Sequence, residues 1–592
     1  MDKFDRPAGL ETPSTLDWQS DIAAEMLRRL DIPYVALNPG ASYRGFHDSL
    51  VNYLGNRAPQ MLLCLHEDHV ISIAHGYAKV TDKPMAAVLH SNVGLLHGLM
   101  GIFNAWGGRV PMMVVGATGP VEPEKRRPYI DWIHTSKDQG GLLRNYVKWD
   151  DEPRSADGIV EAFLRGYQIT ASTPRGPVYI CLDAGLQEHP APENFHIPTA
   201  ARYQPISAAC APQRDIAAVA DLIRASRNPL FLFGRGSVDQ GDWDRRVALV
   251  EAAGAYVMTS TRGKAVFPTD HPRHAAPPLT WLDAAARPIV EAADLIISFD
   301  WVDLNGLLRQ VNRMSDQLEA KIVHVTQDRS LHNGWDMGYF GLPPADFPVD
   351  ANPDAFVAQL LDNLRERGKD MSTWTDVARV DPGPAEFGPN SDREIIPFDL
   401  EVAVKKIAET RKVTLANNNI GWSTRAFMIR GPLDFMGHNG GGGIGAGPGL
   451  TVGVALALLG SDRTVVGVMG DGDFLQGVTA LWTAAHYQIP ALFIVANNRS
   501  NYNDEIHQAA MAKDRGRPPE NRWIGQRIDD PAPDLAGMAR AQGVEAEGPV
   551  KNVKDLMAAI ERGLAVVDAG RPYLIDAHIA LGYTKKIVTR GH

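Results

Sequence analysis

Apolar residues in this chain gather into short unbroken runs, neither alternating along strands nor spaced as heptads. The runs at 62–65, 85–89, 110–115, 229–233, 255–259, 464–469 and 490–496 read as strands buried on both faces, and 294–299 and 321–325, which include Asp294, Lys321 and His324, as further strands. Between them, 70–78, 98–106, 243–253, 450–459 and 474–487 carry helical spacing. Strands alternating with helices predict parallel sheets covered on both sides.

Two stretches interrupt this rhythm. Residues 187–213 hold several prolines and no sustained period, and 380–397 contains Asp381-Pro382-Gly383-Pro384 and Pro389-Asn390-Ser391-Asp392. They divide the chain into 15–188, 212–368 and 395–585, three doubly wound α/β domains in a length of 592 residues, too long for one core. The first and third segments echo each other. Gly98 to Trp106 leads to Val110-Pro111 and an apolar run, as Gly477 to Ala485 leads to Ile489-Pro490 and another. Proline at a strand start is tolerated and holds the preceding residue extended.

A net charge of -11 with no basic stripe argues against a nucleic-acid partner. Cys64, Cys181 and Cys210 lack metal-ligand spacing and suit a reducing compartment. Residues 1–17 are polar, with no apolar signal core, and no apolar run reaches a membrane span. The expectation is a cytoplasmic protein without a membrane partner.

The chemistry concentrates where strand 464–469 ends in Gly470-Asp471-Gly472 and the next strand ends in Asn497-Asn498. A carboxylate and an amide oxygen at the carboxyl ends of two strands are hard ligands for a cation such as Mg2+. A helix opening near Asp473 points free N–H groups at the same spot, which suits a diphosphate. Strand, helix and strand in this order resemble the thiamine-diphosphate (ThDP) enzymes, whose cofactor signature runs from Gly-Asp-Gly to Asn-Asn. The resemblance implies Mg2+ held by the side chains of Asp471 and Asn498 and the backbone carbonyl of Ser500, with Gly470, Gly472 and Asp473 at the cofactor. It also implies that the first domain binds the pyrimidine ring and the third the diphosphate.

Such a cofactor needs a carboxylate on its pyrimidine nitrogen as general acid/base. Glu67, between the run 62–65 and the helical stretch 70–78, fits that demand and resembles the family's strand-Glu-helix element. Gly440 to Gly445 presents one aliphatic residue, Ile444, on a glycine-rich loop. In the family such a residue wedges between the two rings, and the carbonyl of Gly442 would accept from the amino group.

On the substrate side, His90-Ser91 after strand 85–89 and Asn38-Pro39-Gly40 look like benzoylformate decarboxylase, with Ala41 where that enzyme has serine. A neutral His90 would relay protons. Ala41, Ser42, His134 and Tyr502 complete the substrate-side candidates, and His134-Thr135 replaces the Phe-Gln pair of acetolactate synthases. The resemblance therefore implies a ThDP- and Mg2+-dependent lyase or transferase acting on a C–C bond next to a carbonyl. A 2-keto acid decarboxylase with carboligase activity leads. Acetolactate synthase, 2-hydroxyacyl-CoA lyase and, from another class, a non-catalytic paralogue are the alternatives. Substrates would be 2-keto acids, aldehydes or 2-hydroxyacyl compounds. Relatives share their sites between protomers, which implies a homodimer or homotetramer. Some carry FAD or ADP in the central domain; Gly234-Arg235-Gly236 is the one glycine pair there that invites it, without a full fingerprint. An acyl-CoA lyase would need a long C-terminal lid, and the chain past Tyr583 leaves a short one or none.

Overall fold

The computed structural model describes residues 4–8, 15–312, 317–328, 341–367, 374, 377–419 and 421–582. The expected short or missing lid after Tyr583 lies outside the described residues. Three parallel sheets form, one per segment. The first orders its strands Gln60–Leu63, Tyr34–Leu37, Met85–Val88, Met112–Thr118, Pro177–Asp183, Asp150–Asp151. In the central sheet the order is Phe347–Val349, Lys321–Val325, Leu295–Phe299, Pro229–Phe233, Tyr256–Thr259. The third runs Lys412–Asn417, Arg463–Gly470, Leu492–Asn497, Tyr573–His578, Glu545–Val550. Every strand pair in these sheets is parallel. Central strands such as Met112–Thr118 and Leu492–Asn497 are buried along their whole length, which is why they read as unbroken apolar runs.

Among the helices, one expectation changes. The stretch 474–487 is two helices, Asp471–Gly477 and Ala480–His486. At Val478 and Thr479 the backbone stays right-handed but tightens, with Leu481 N–H on the Val478 carbonyl and Trp482 N–H on the Thr479 carbonyl. Tertiary contact explains the break: Thr479 Oγ1 hydrogen-bonds His69 Nε2 at 2.8 Å, and Gly477 is pressed against the Gly445 carbonyl and Pro448. The helix also starts three residues earlier than its apolar period, at Asp471.

The first and third domains meet along Glu67–Thr81 and Gly447–Ala457, two helices whose backbones touch. A Cβ on Gly449 would collide with Ser72 Oγ, and one on Gly453 with the Ile73 carbonyl. Strapping beside them, Leu63 N–H donates to Tyr487 Oη at 2.9 Å and Thr483 Oγ1 donates to the Leu63 carbonyl at 2.8 Å. The central domain is tied to the first by ion pairs. Arg109 Nε lies 2.8 Å from Asp328 Oδ2, and Lys264 Nζ lies 2.5 Å from Asp82 Oδ1, which Arg175 of the first domain also pairs at 3.0 Å.

Because the Ile73 carbonyl belongs to a helix and cannot retract, Gly453→Val should cost about 1–3 kcal/mol or more by overpacking. Differential scanning calorimetry should show a lower Tm, and hydrogen exchange should lose protection in Glu67–Thr81 and Gly447–Ala457 together.

Candidate active site

Asp471 opens the Asp471–Gly477 helix at the carboxyl end of its strand, with its side chain buried. Its Oδ1 accepts from Gly472 N–H at 2.8 Å and its Oδ2 from Ser500 N–H at 3.3 Å. Asn498 Oδ1 accepts the same Ser500 N–H at 2.9 Å. The three metal candidates Asp471, Asn498 and Ser500 are thus gathered around one amide. Arg499, at φ 58, is the left-handed residue that turns the chain back to make this possible. Burial pushes the Asp471 carboxyl above its ordinary value, opposed by backbone donors from Gly472, Arg499 and Ser500. No ion pair to it forms among the described residues. A buried carboxylate without a cation, next to an amide oxygen, fits a hard divalent ion. Over Gly470 nothing lies within 4 Å of where a Cβ would stand, so the strand tip faces open space.

Asp473 takes a different part. Its Oδ1 accepts from Gly445 N–H at 2.6 Å and Gly447 N–H at 3.1 Å, pinning the glycine-rich loop to the helix start. Asn439 closes that loop on itself, accepting from Gly442 N–H and donating to the Gly443 carbonyl, each at 2.8 Å. Gly442 sits at φ 77 with open space where a Cβ would stand, and Ile444 stands 46% exposed beside it. Loop and first domain are in contact, since Gly443 packs on Met100 and Gly441 on Phe103 and Asn104.

Glu67 is the first residue of its helix and 6% exposed. His66 caps that helix by accepting from Asp68 N–H at 3.1 Å. The Glu67 carboxylate is left for another partner: Oε2 lies 3.1 Å from His97 Nδ1, while Oε1 lies beside Gly94. Next to it, burial raises the Asp68 carboxyl to about 6, and Asp473 adds to the rise. The first turn of this helix therefore approaches the first turn of Asp471–Gly477. His97 was not among the residues singled out from sequence. The available signal was its spacing with Gly94 and Gly101, which puts two glycines and a histidine on one helical face.

His90 precedes the Ser91–Gly108 helix, yet its side chain does not cap that helix. Instead His90 Nδ1 lies 2.9 Å from Ser42 Oγ, which also accepts from Ser91 N–H at 3.1 Å. His134 stands edge-on to it, ring centroids 4.7 Å apart, with its own Nδ1 buried and unpartnered among the described residues. Gly40 lies directly against the His90 ring, so the Asn38-Pro39-Gly40 turn sets its place. Burial first, and His134 second, hold the His90 imidazole below its ordinary value, with Glu67 pulling the other way. Ala41 is exposed and makes no part of this group, and Tyr502 begins the Tyr502–Asp514 helix on the metal side. In that helix Glu505 is fully buried and accepts from Ser500 Oγ at 2.6 Å, which backs the Asn498–Ser500 turn.

In the central domain, Gly234 and Gly236 serve packing. A Cβ on Gly234 would strike the Asp300 carbonyl, and one on Gly236 would lie 3.0 Å from Arg246 and Val266. Ser237 N–H at the turn goes to Asp354 at 2.8 Å, and Asp239 caps the following helix. A cavity of about 300 Å3 remains beside Arg109, Arg235 and Lys264, but the turn itself is no cradle for phosphates.

Three family models match: the N-terminal binding domain of thiamine pyrophosphate enzymes over 18–141, the central domain over 216–333 and the C-terminal binding domain over 417–577. Benzoylformate decarboxylase of Pseudomonas aeruginosa is 26% identical over 566 residues, 93% of this chain and 97% of that protein. A probable acetolactate synthase large subunit of Methanocaldococcus jannaschii is 24% identical, covering 91% of this chain and 88% of the relative. Among solved structures, a putative thiamin diphosphate-dependent enzyme of Mycobacterium smegmatis superposes with a TM-score of 0.76 at 21% identity, covering 95% and 99% of the two chains. The 4-hydroxybenzoylformate decarboxylase of Rhodococcus jostii gives 0.73 at 23% identity, covering 96% and 100%.

Since burial raises the Asp471 carboxyl, its charge opposes folding until a cation arrives, and that cost grows as pH rises. Asp471→Asn should therefore raise the Tm of the cofactor-free protein at neutral pH while abolishing the additional Tm gained with Mg2+. Thermal melts with and without the metal check both signs.

Proposed function

The chain belongs to the thiamine pyrophosphate enzymes, and we propose that within this family it is a Mg2+-dependent 2-keto acid decarboxylase or lyase with carboligase activity. The observation that carries the reading is His90, held by Ser42 beside His134 on the same side of Gly94 as Glu67. The Pseudomonas relative that shares most of this chain's length is named for such a decarboxylation.

ThDP, when bound, would supply a carbon nucleophile for the carbonyl and a cationic thiazolium ring that takes up the electron pair of the broken C–C bond. The residues of this chain divide the remaining work. Asp471, Asn498 and the Ser500 carbonyl would hold Mg2+, with Gly470 and Gly472 leaving room for the diphosphate. The Gly442 carbonyl and the Ile444 side chain, on the loop pinned by Asp473, would bear on the rings. Glu67 gives and takes a proton through its carboxyl as general acid/base. His90, uncharged at neutral pH, carries a proton to or from the reacting substrate, with the unpartnered His134 Nδ1 as a second contact. The apolar strip of Val93, Leu96 and Met100, 36%, 53% and 39% exposed, supports a homodimer or homotetramer joined near this face.

Glu67→Gln should lower kcat by about 10^2 to 10^4 while retaining the coenzyme, read in parallel by turnover and by calorimetric ThDP titration. His90→Ala should slow decarboxylation of benzoylformate or pyruvate. In the unmodified enzyme the rate should stay level through neutral pH and fall only as acid charges His90, whose value is held low. Substrate choice is tested with pyruvate, benzoylformate, aldehydes and 2-hydroxyacyl-CoA. Acetolactate from pyruvate alone, or cleavage of the thioester substrate alone, would replace this reading.

A further inference from the structure

We infer that His97 is a positioning residue for Glu67: it occupies Oε2 and leaves Oε1 as the oxygen that exchanges protons. This rests on the reading of Glu67 as the coenzyme's acid/base. His97 Nδ1 lies 3.1 Å from Glu67 Oε2. Since a carboxylate accepts only, Nδ1 carries the hydrogen and His97 donates. The other oxygen, Oε1, lies at the gap over Gly94, where a Cβ would come within 3.0 Å of it and 3.3 Å of His90 Cβ. The carboxylate therefore has one tethered oxygen and one directed to the side on which His90 stands.

The same histidines could be taken for a cation site, because one atom each from His66, Glu67 and His97 lie within 4.8 Å of one another. Two features speak against that. His66 Nδ1 already accepts from Asp68 N–H, which places the ring's hydrogen on Nε2 and leaves no free lone pair. The His66 and His97 rings are also stacked, 13° apart in plane with centroids at 5.2 Å. Lone pairs in parallel planes do not converge on one ion. What this stacking does is hold His97 upright over the helix start, so that its Nδ1 meets the carboxylate in one orientation. A general acid/base with two free oxygens would share its proton between orientations, and only one of them reaches the coenzyme.

The contact is tested first without coenzyme, by the 15N shifts of His97. In the wild type its neutral ring should be the Nδ1–H tautomer, and in Glu67→Ala it should revert toward Nε2–H. The role is tested by the rate of proton exchange at the thiazolium C2 in ThDP-loaded protein. His97→Phe should slow exchange about tenfold, the worth of one charge-assisted hydrogen bond, with ThDP affinity unchanged. His97→Asn, whose Nδ2 can stand where Nδ1 does, should restore most of the rate. A His97 tautomer indifferent to Glu67→Ala, or His97→Phe exchanging at the wild-type rate, overturns the inference. If exchange stays fast in Glu67→Gln as well, it is the reading of Glu67 that fails; slow exchange in Glu67→Gln with fast exchange in His97→Phe removes His97 alone.

Discussion

The site depends on how closely two helices from different domains approach. Glu67–Thr81 and Gly447–Ala457 touch backbone to backbone because Gly449 and Gly453 present no side chain to the partner. Each helix begins at a part of the candidate site: Glu67 opens one, and the glycine-rich loop with Ile444 feeds the other. Fixing the helix pair fixes, within one chain, where Glu67 stands relative to the glycine-rich loop. Asp473 ties the loop to the start of the Asp471–Gly477 helix. Packing and chemistry are in this sense one constraint.

Much of this was legible in the chain because parallel sheets announce themselves. Pro229–Phe233 has the bounds of its apolar run, since a strand buried on both faces has no polar positions to blur it. Short edge strands such as Asp150–Asp151, half-buried and acidic, give no such signal. The division of 474–487 was hidden for another reason. Its cause, the bond from Thr479 to His69, spans 410 positions of sequence and has no local trace.

The candidate site residues followed the same rule. Asp471 and Asn498 stand at or just past strand tips, where topology forces convergence, so spacing brought out the Gly-Asp-Gly turn and the Asn497-Asn498 pair, and the resemblance picked Asn498 from the two. Asp473, expected at the cofactor, binds backbone amides of Gly445 and Gly447, a role that needs the loop's path in space. Ala41 fell to the surface while Ser42, one residue on, turned inward to His90. The left-to-right choice between neighbours in a tight turn is not written in residue type. His97 stayed unseen because a lone histidine on an apolar helix is common, and its partner lies thirty positions away.

The pairing of Arg109 and Arg235 with Asp328 has a bearing on where this enzyme can work. Burial alone would push the Asp328 carboxyl up, but the two guanidinium groups outweigh it and hold it below its ordinary value. A depressed carboxyl contributes stability above its ordinary titration range and surrenders it only as acid passes the lowered value. Enclosed charges are also little screened by dissolved ions. The seam between the first and central domains thus keeps the Asp328 charge, and the two ties it makes, at acidities that would neutralise an ordinary carboxyl.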